Sequence, residues 1–203
     1  MMIKTIFFDL GNVLIHVDKE RAIWEIAKLP GLNLNTVKQI AESNLEKEFE
    51  KGYFSADEYI DKLQREYGIL INVTLDHLID IWQQPFEIIP EVWELIPVLK
   101  KQARLVLLSN TNDLHIRAVR KKYSILDELD NLVLSYEVGS CKPEEQIYRE
   151  ALKIEDSLPE ESIFIDDLHE NVVAAQLIGI RSHQFQHVEG LRTFLQESGF
   201  SLI

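Results

Sequence analysis

The sequence predicts a doubly wound α/β domain, built on a mostly parallel sheet, with an all-helical segment inserted near its start. Three observations carry this expectation. Short runs at residues 3–8, 104–108, 131–134 and 162–165 are apolar on successive positions, as in strands covered on both faces. The stretches between the later runs place apolar residues at helical spacing, which gives the alternation of a parallel sheet wound with helices. The stretch from about His16 to Gln84 has no convincing strand pattern, and its apolar residues recur every three or four positions.

Taken in order, residues 3–8 are the first strand and stop at Asp9-Leu10-Gly11-Asn12. In the inserted segment Leu34, Val37, Ile40, Leu45 and Phe49 keep one helical period. Tyr59, Ile60, Leu63 and Tyr67 keep a second, and Leu75, Leu78, Ile79 and Trp82 a third. Breaks fall at Pro30-Gly31, Gly52, Gly68 and Pro85. Asn33 or Asn35 caps one helix, and Ser55 with Glu58 has the spacing of a capping box. Val92, Trp93, Ile96 and Leu99 form a helix before the 104–108 strand, and a weaker strand follows Gly179 at residues 180–184. The expected division is a core of residues 1–15 and 86–203 with a helical cap at 16–85.

Composition bounds the function. The 203 residues carry 21 Lys and Arg against 34 Asp and Glu, a formal net charge of −13. Such an acidic chain is ill suited to nucleic acid or an anionic membrane, both of which demand cationic surface. The 46% apolar share supports a packed core without disulfide or metal staples. The single cysteine, Cys141, cannot form an internal disulfide, which points to a reducing, cytoplasmic setting. Apolar runs fall short of a membrane span, and the apolar N-terminus meets Asp9 too soon for a signal peptide. Asn72-Val73-Thr74 matches a glycosylation sequon by chance.

Ligands of open parallel sheets gather beyond the C-terminal strand ends. Asp9 ends the first strand, Ser109-Asn110-Thr111 the second, and Asp166-Asp167 the fourth, while Lys142-Pro143 follows the third. Three carboxylates on one edge repel one another unless a cation sits among them, and oxygen ligands of this kind suit Mg²⁺. A lysine, a hydroxyl and amide N–H groups are what a phosphate dianion requires. An aspartate so placed is free to attack phosphorus.

These motifs, Phe7-Phe8-Asp9-Leu10-Gly11-Asn12-Val13-Leu14, Leu108-Ser109-Asn110-Thr111, Cys141-Lys142-Pro143-Glu144 and Ile165-Asp166-Asp167, resemble in content and order those of the haloacid dehalogenase-like hydrolases. The resemblance spans the chain, including a helical cap inserted after the first motif. It implies that Asp9 is a nucleophile forming an aspartyl-phosphate. It implies that Asp9, the Gly11 backbone carbonyl and Asp166 hold Mg²⁺ with support from Asp167, and that Ser109, the Asn110 amide and Lys142 clamp the phosphate of a small phosphorylated metabolite. The chain departs from the common pattern at Gly11, where most phosphatases of the superfamily carry a second Asp as general acid and base. The Asp-Leu-Gly-Asn-Val string is similar to that of certain sugar-phosphate phosphatases, which suggests an anomeric sugar phosphate, whose leaving oxygen needs little protonation. Gly11 also leaves open a catalytically weak binding or regulatory protein. A dehalogenase is disfavoured by Asp166-Asp167 and by Ser109 with Lys142. His16, His169 and Cys141 read as bystanders, and cap residues around Phe49, Lys51 and Tyr53 are the expected selectors of substrate.

Overall fold

The computed structural model describes residues 2–69 and 73–202, so the Asn72 sequon lies outside the described residues. Along the chain, β1 (Thr5–Phe8) and β2 (Ile15–Val17) precede five helices. These are α1 (Lys19–Ile26), α2 (Leu34–Ala41), α3 (Asn44–Glu50), α4 (Ala56–Tyr67) and α5 (Leu75–Trp82). There follow β3 (Phe86–Ile88), α6 (Pro90–Trp93), α7 (Ile96–Leu99), β4 (Arg104–Ser109), α8 (Asp113–Lys122), β5 (Asn131–Leu134) and α9 (Ser135–Val138). The chain continues through α10 (Glu145–Ile154), β6 (Ser162–Asp166), α11 (His169–Leu177), β7 (Arg181–Gln184) and α12 (Val188–Glu197).

The main sheet has the order β5-β4-β1-β6-β7, and every pairing in it is parallel. Its pleat divides the strand residues between two apolar layers. Ile6, Phe8, Leu105, Leu107, Ile163 and Ile165 face one side, whose packing runs on into the inserted helices through Phe49, Tyr59, Leu63 and Leu78. Phe7, Val106, Leu108, Val133 and Phe164 face the other, against Ile147, Tyr148 and Ala151 of α10. Burial on both faces explains why these strands read as unbroken apolar runs. The order reverses around β1, so β1, β4 and β6 all end at the switch point, where such sheets take ligands.

Three local expectations are corrected. The stretch from His16 is not free of strand. Ile15–Val17 pairs antiparallel with Phe86–Ile88, joining the two crossings between the main sheet and the inserted helices as a short ribbon. Three residues are too few for an alternating pattern to register. The single period of residues 34–49 is two helices, because Ser43 accepts from the Glu46 amide and caps α3 after α2 has ended. The helix at residues 92–99 is also two, broken at Glu94-Leu95, where Pro97 has no N–H to offer the Trp93 carbonyl one turn back. The Ser55–Glu58 capping box forms on α4 as expected, and Asn33, not Asn35, caps α2.

The turn after α3 approaches the core very closely. Gly52, after α3, has φ of +70°, and a Cβ built there lies 1.9 Å from the Tyr136 carbonyl oxygen in α9. Beside it Lys51 Nζ pairs with Glu144 Oε1 at 2.5 Å. Gly52→Ala is therefore expected to force this turn off α9 and to lower stability by about 2 kcal/mol or more, read as a drop in Tm. An unchanged melting curve would contradict so close an approach.

Candidate active site

The parallel register brings the C-terminal ends of β1, β4 and β6 level, so Asp9, Ser109 and Asp166 arrive on one edge by backbone pairing alone. The Asp9 amide donates to the Ile165 carbonyl at 2.9 Å, which fixes the nucleophile candidate against β6. Lys142 reaches this edge from the loop after α9. Its ammonium is 1% exposed and donates to Asp9 Oδ1 at 2.7 Å and to Asp166 Oδ2 at 2.6 Å. The Asn110 side chain holds the lysine's main chain at both polar groups, donating to the Lys142 carbonyl at 2.8 Å and accepting from its amide at 2.7 Å. The Asn110 side-chain amide is thus engaged in positioning Lys142. Ser109 is buried beside it.

Asp166 is fully buried and heavily bonded. Asn171 donates to both of its oxygens, at 3.0 and 3.1 Å, and the Leu168 amide adds a bond of 2.8 Å. Asp167 accepts from Asn12 Nδ2 at 3.1 Å. Asn12 holds φ of +54°, a left-handed conformation that asparagine tolerates, and its Oδ1 accepts from the Val17 amide of β2 at 3.3 Å. Asn171 follows the Asp-Asp pair as the resemblance leads one to expect, but its bonds to Asp166, like those of Asn12 to Asp167, are not announced by any spacing in the sequence.

Electrostatically the site is short of positive charge. Asp9, Asp166 and Asp167 have oxygens within 4.8 Å of one another, and one ammonium cannot balance three carboxylates. Burial pushes the Asp9 carboxyl up to about 6, the Asp166 charge adds to that, and Lys142 pulls the other way. Burial alone would lower the Lys142 ammonium, but Asp9 and Asp166 more than offset it, so the lysine stays charged. An all-oxygen donor set carrying surplus negative charge fits a hard divalent cation such as Mg²⁺.

Above this edge opens a cavity of about 500 Å³, lined at one end by Asp9, Gly11, Ser109, Asn110, Lys142 and Asp167 and elsewhere by the inserted helices. Glu46 and Tyr59 share its wall. The Tyr59 hydroxyl donates to Glu46 Oε2 at 2.5 Å, and Asn112 donates to Oε1 at 3.4 Å. Burial pushes the Glu46 carboxyl up to about 7. His115 also lines the wall, packed edge-on against Trp82, and burial pushes it down to about 4, so it is neutral. Of the stretch expected to select substrate, Glu50 lines the cavity, but the three residues that mark it do not. Phe49 stacks on Tyr59 in the core, Lys51 pairs with Glu144 and Tyr53 is 66% exposed; none of the three lines the cavity. His16 and His169 are exposed, and burial raises the Cys141 thiol, in keeping with bystander roles.

The model of the haloacid dehalogenase-like hydrolases matches residues 3–179, and the chain belongs to this family. It is 29% identical to a D-ribitol-5-phosphate phosphatase of Bacteroides thetaiotaomicron over 90% of this chain and 92% of that one. It is 26% identical to a sesquiterpene phosphatase of Aspergillus oryzae over 87% of each. Among solved structures it is similar to a HAD family enzyme of Bacteroides thetaiotaomicron in complex with magnesium and inorganic phosphate, with a TM-score of 0.78 and 28% identity, covering 91% of this chain and 94% of that one.

Proposed function

We propose that this protein is a Mg²⁺-dependent phosphatase that hydrolyses a small phosphomonoester through an aspartyl-phosphate on Asp9. The observation that carries this is the buried group of Asp9, Asp166 and Lys142 beside Ser109 at the strand ends. Asp9, Asp166 and the Gly11 backbone carbonyl would hold the cation, with Asp167 in support. When bound, Mg²⁺ neutralises charge on the phosphoryl group and on the carboxylates around it. The relatives named for phosphatase activity, and the neighbour bound to magnesium and phosphate, support the same assignment.

In the first step an Asp9 oxygen forms the new bond to phosphorus as the ester P–O bond breaks, and the ester oxygen leaves with the electron pair as an alkoxide or phenoxide that takes its proton from water. In the second, water attacks the acyl phosphate, phosphate departs and Asp9 is restored. Lys142 and the Ser109 hydroxyl stand where charge on the phosphoryl oxygens is met. The Asn110 side chain keeps Lys142 in place, and the residues 16–85 segment acts as a cap that keeps bulk water from the attack. Gly11 supplies no proton to the leaving oxygen. That restricts the acidity of the departing alcohol, for which an anomeric sugar or a phenol serves well, and says nothing of its polarity.

The direct test is phosphate release from a panel of sugar, alkyl and aryl phosphates with Mg²⁺ or with EDTA. Release with Mg²⁺ and none with EDTA is the expected result. No release from any of them would leave the binding-protein reading in its place. Gly11→Asp probes the missing acid. A Cβ at Gly11 meets only the Val17 methyl at 3.6 Å, ordinary van der Waals contact, so the site has room for a side chain. Restoring an acid there is expected to speed alkyl phosphates by up to ~10²-fold while changing aryl phosphates little. An equal effect on both would contradict the leaving-group argument.

A further inference from the structure

We infer that the alcohol part of the substrate is apolar, an acidic hydroxyl such as a phenol's on a hydrocarbon group of ten or more carbons and not a polyol, seated in the cavity between Asp9 and the inserted helices. The inference rests on the phosphatase reading above and deepens it. The cavity is continuous with the reacting edge, because Asp9 and Lys142 line it together with Ile23 and Ile26 of α1, Ile40 of α2, Leu63 of α4, and Leu78 and Trp82 of α5. At about 30 Å³ for each water-sized group, 500 Å³ holds a phosphate and roughly ten to fifteen further non-hydrogen atoms.

Beyond the reacting edge the wall is largely apolar, its polar side chains being few: Lys19, Glu46, Glu50, Thr111 and His115, whose Nε2 is buried without a partner. Glu46 is engaged by Tyr59 and Asn112, and His115 adds a neutral ring. A sugar or polyol lying along the isoleucines and leucines of this wall would bring more hydroxyls than these few groups serve, each one left buried without a partner costing about 1–3 kcal/mol. Helix α1 gives an independent sign. None of its residues is buried; Ala22, Ile23 and Ile26 are half-buried and turned to the cavity, so its apolar face stays incompletely covered. An apolar group in the cavity completes that burial.

A series of 4-alkylphenyl phosphates, from methyl to hexyl, isolates the effect, since para-alkyl groups leave the acidity of the departing phenol nearly constant. With Mg²⁺ present, kcat/KM is expected to rise about three- to fourfold per added methylene over the first several members. Glucose 1-phosphate and ribitol 5-phosphate are expected to be poorer substrates than the hexyl member. A flat or falling series, with the sugar phosphates preferred, overturns the apolar assignment and leaves the phosphatase intact. If nothing is hydrolysed the phosphatase reading falls, and the cavity is then decided by calorimetric binding of non-hydrolysable 4-alkylbenzylphosphonates. Affinity that climbs with chain length supports the apolar pocket, and affinity indifferent to length refutes it.

Discussion

Asp9→Asn is expected to abolish phosphate release, by at least ~10⁴-fold, while leaving the protein folded. An amide oxygen has no charge with which to attack phosphorus, yet it occupies the same space and still accepts from Lys142. The structural cost is small because two opposed effects are removed at once: the ion pair with Lys142 at 2.7 Å and the repulsion that helps hold the Asp9 carboxyl up near 6. Single-turnover phosphate release against the wild type, with a thermal melt of each, checks both halves. Residual activity within tenfold of wild type would remove Asp9 from the nucleophile's place.

Lys142→Met should be the more damaging to the fold. The ammonium is 1% exposed, lies within 2.7 Å of Asp9 and Asp166, and is their only basic partner among the described residues. Taking away one member of a buried ion pair typically costs about 3–5 kcal/mol, because the partners are left charged and dry. The loss should depend on pH in a definite sense. In the wild type, Asp9 stands raised to about 6, and Lys142 is what keeps it from rising further. Without the lysine its folded pKa moves higher still above the unfolded value, so the variant folds with proton uptake over a wider range. Stability of the variant relative to wild type should therefore fall as pH rises through 6 and beyond, and the deficit should narrow toward pH 4. Urea titrations at pH 5 and pH 8 measure it. A deficit independent of pH would mean that lost packing, not charge, is responsible.

Much of the main sheet was legible because strands covered on both faces must be apolar throughout, and a parallel register then fixes which residues meet. Asp9, Ser109 and Asp166 needed no side-chain information to be brought together. Lys142 did need it. Its place depends on Asn110 gripping the lysine's main chain, a contact between residues 32 apart that no periodicity announces. The β2–β3 ribbon escaped notice because three-residue strands lack a pattern, and the break between α2 and α3 because Ser43 ends one helical period and begins another without disturbing it. The cavity wall could not be read at all. Ile23, Ile40 and Leu78 carry the spacing of ordinary core residues, and only the packing of the five inserted helices against the core leaves a space between them.

Asn12 joins two parts of the molecule that otherwise have little in common. One end of its amide holds Asp167 on the reacting edge and the other holds Val17, in the ribbon that carries the chain out to the inserted helices. A side chain three bonds long thus links the carboxylate cluster to the ribbon on which those helices are mounted. Free energy passes through such a link in both directions. Any ligand that orders Asp167 steadies the ribbon, and whatever steadies the ribbon favours that ligand by the same factor.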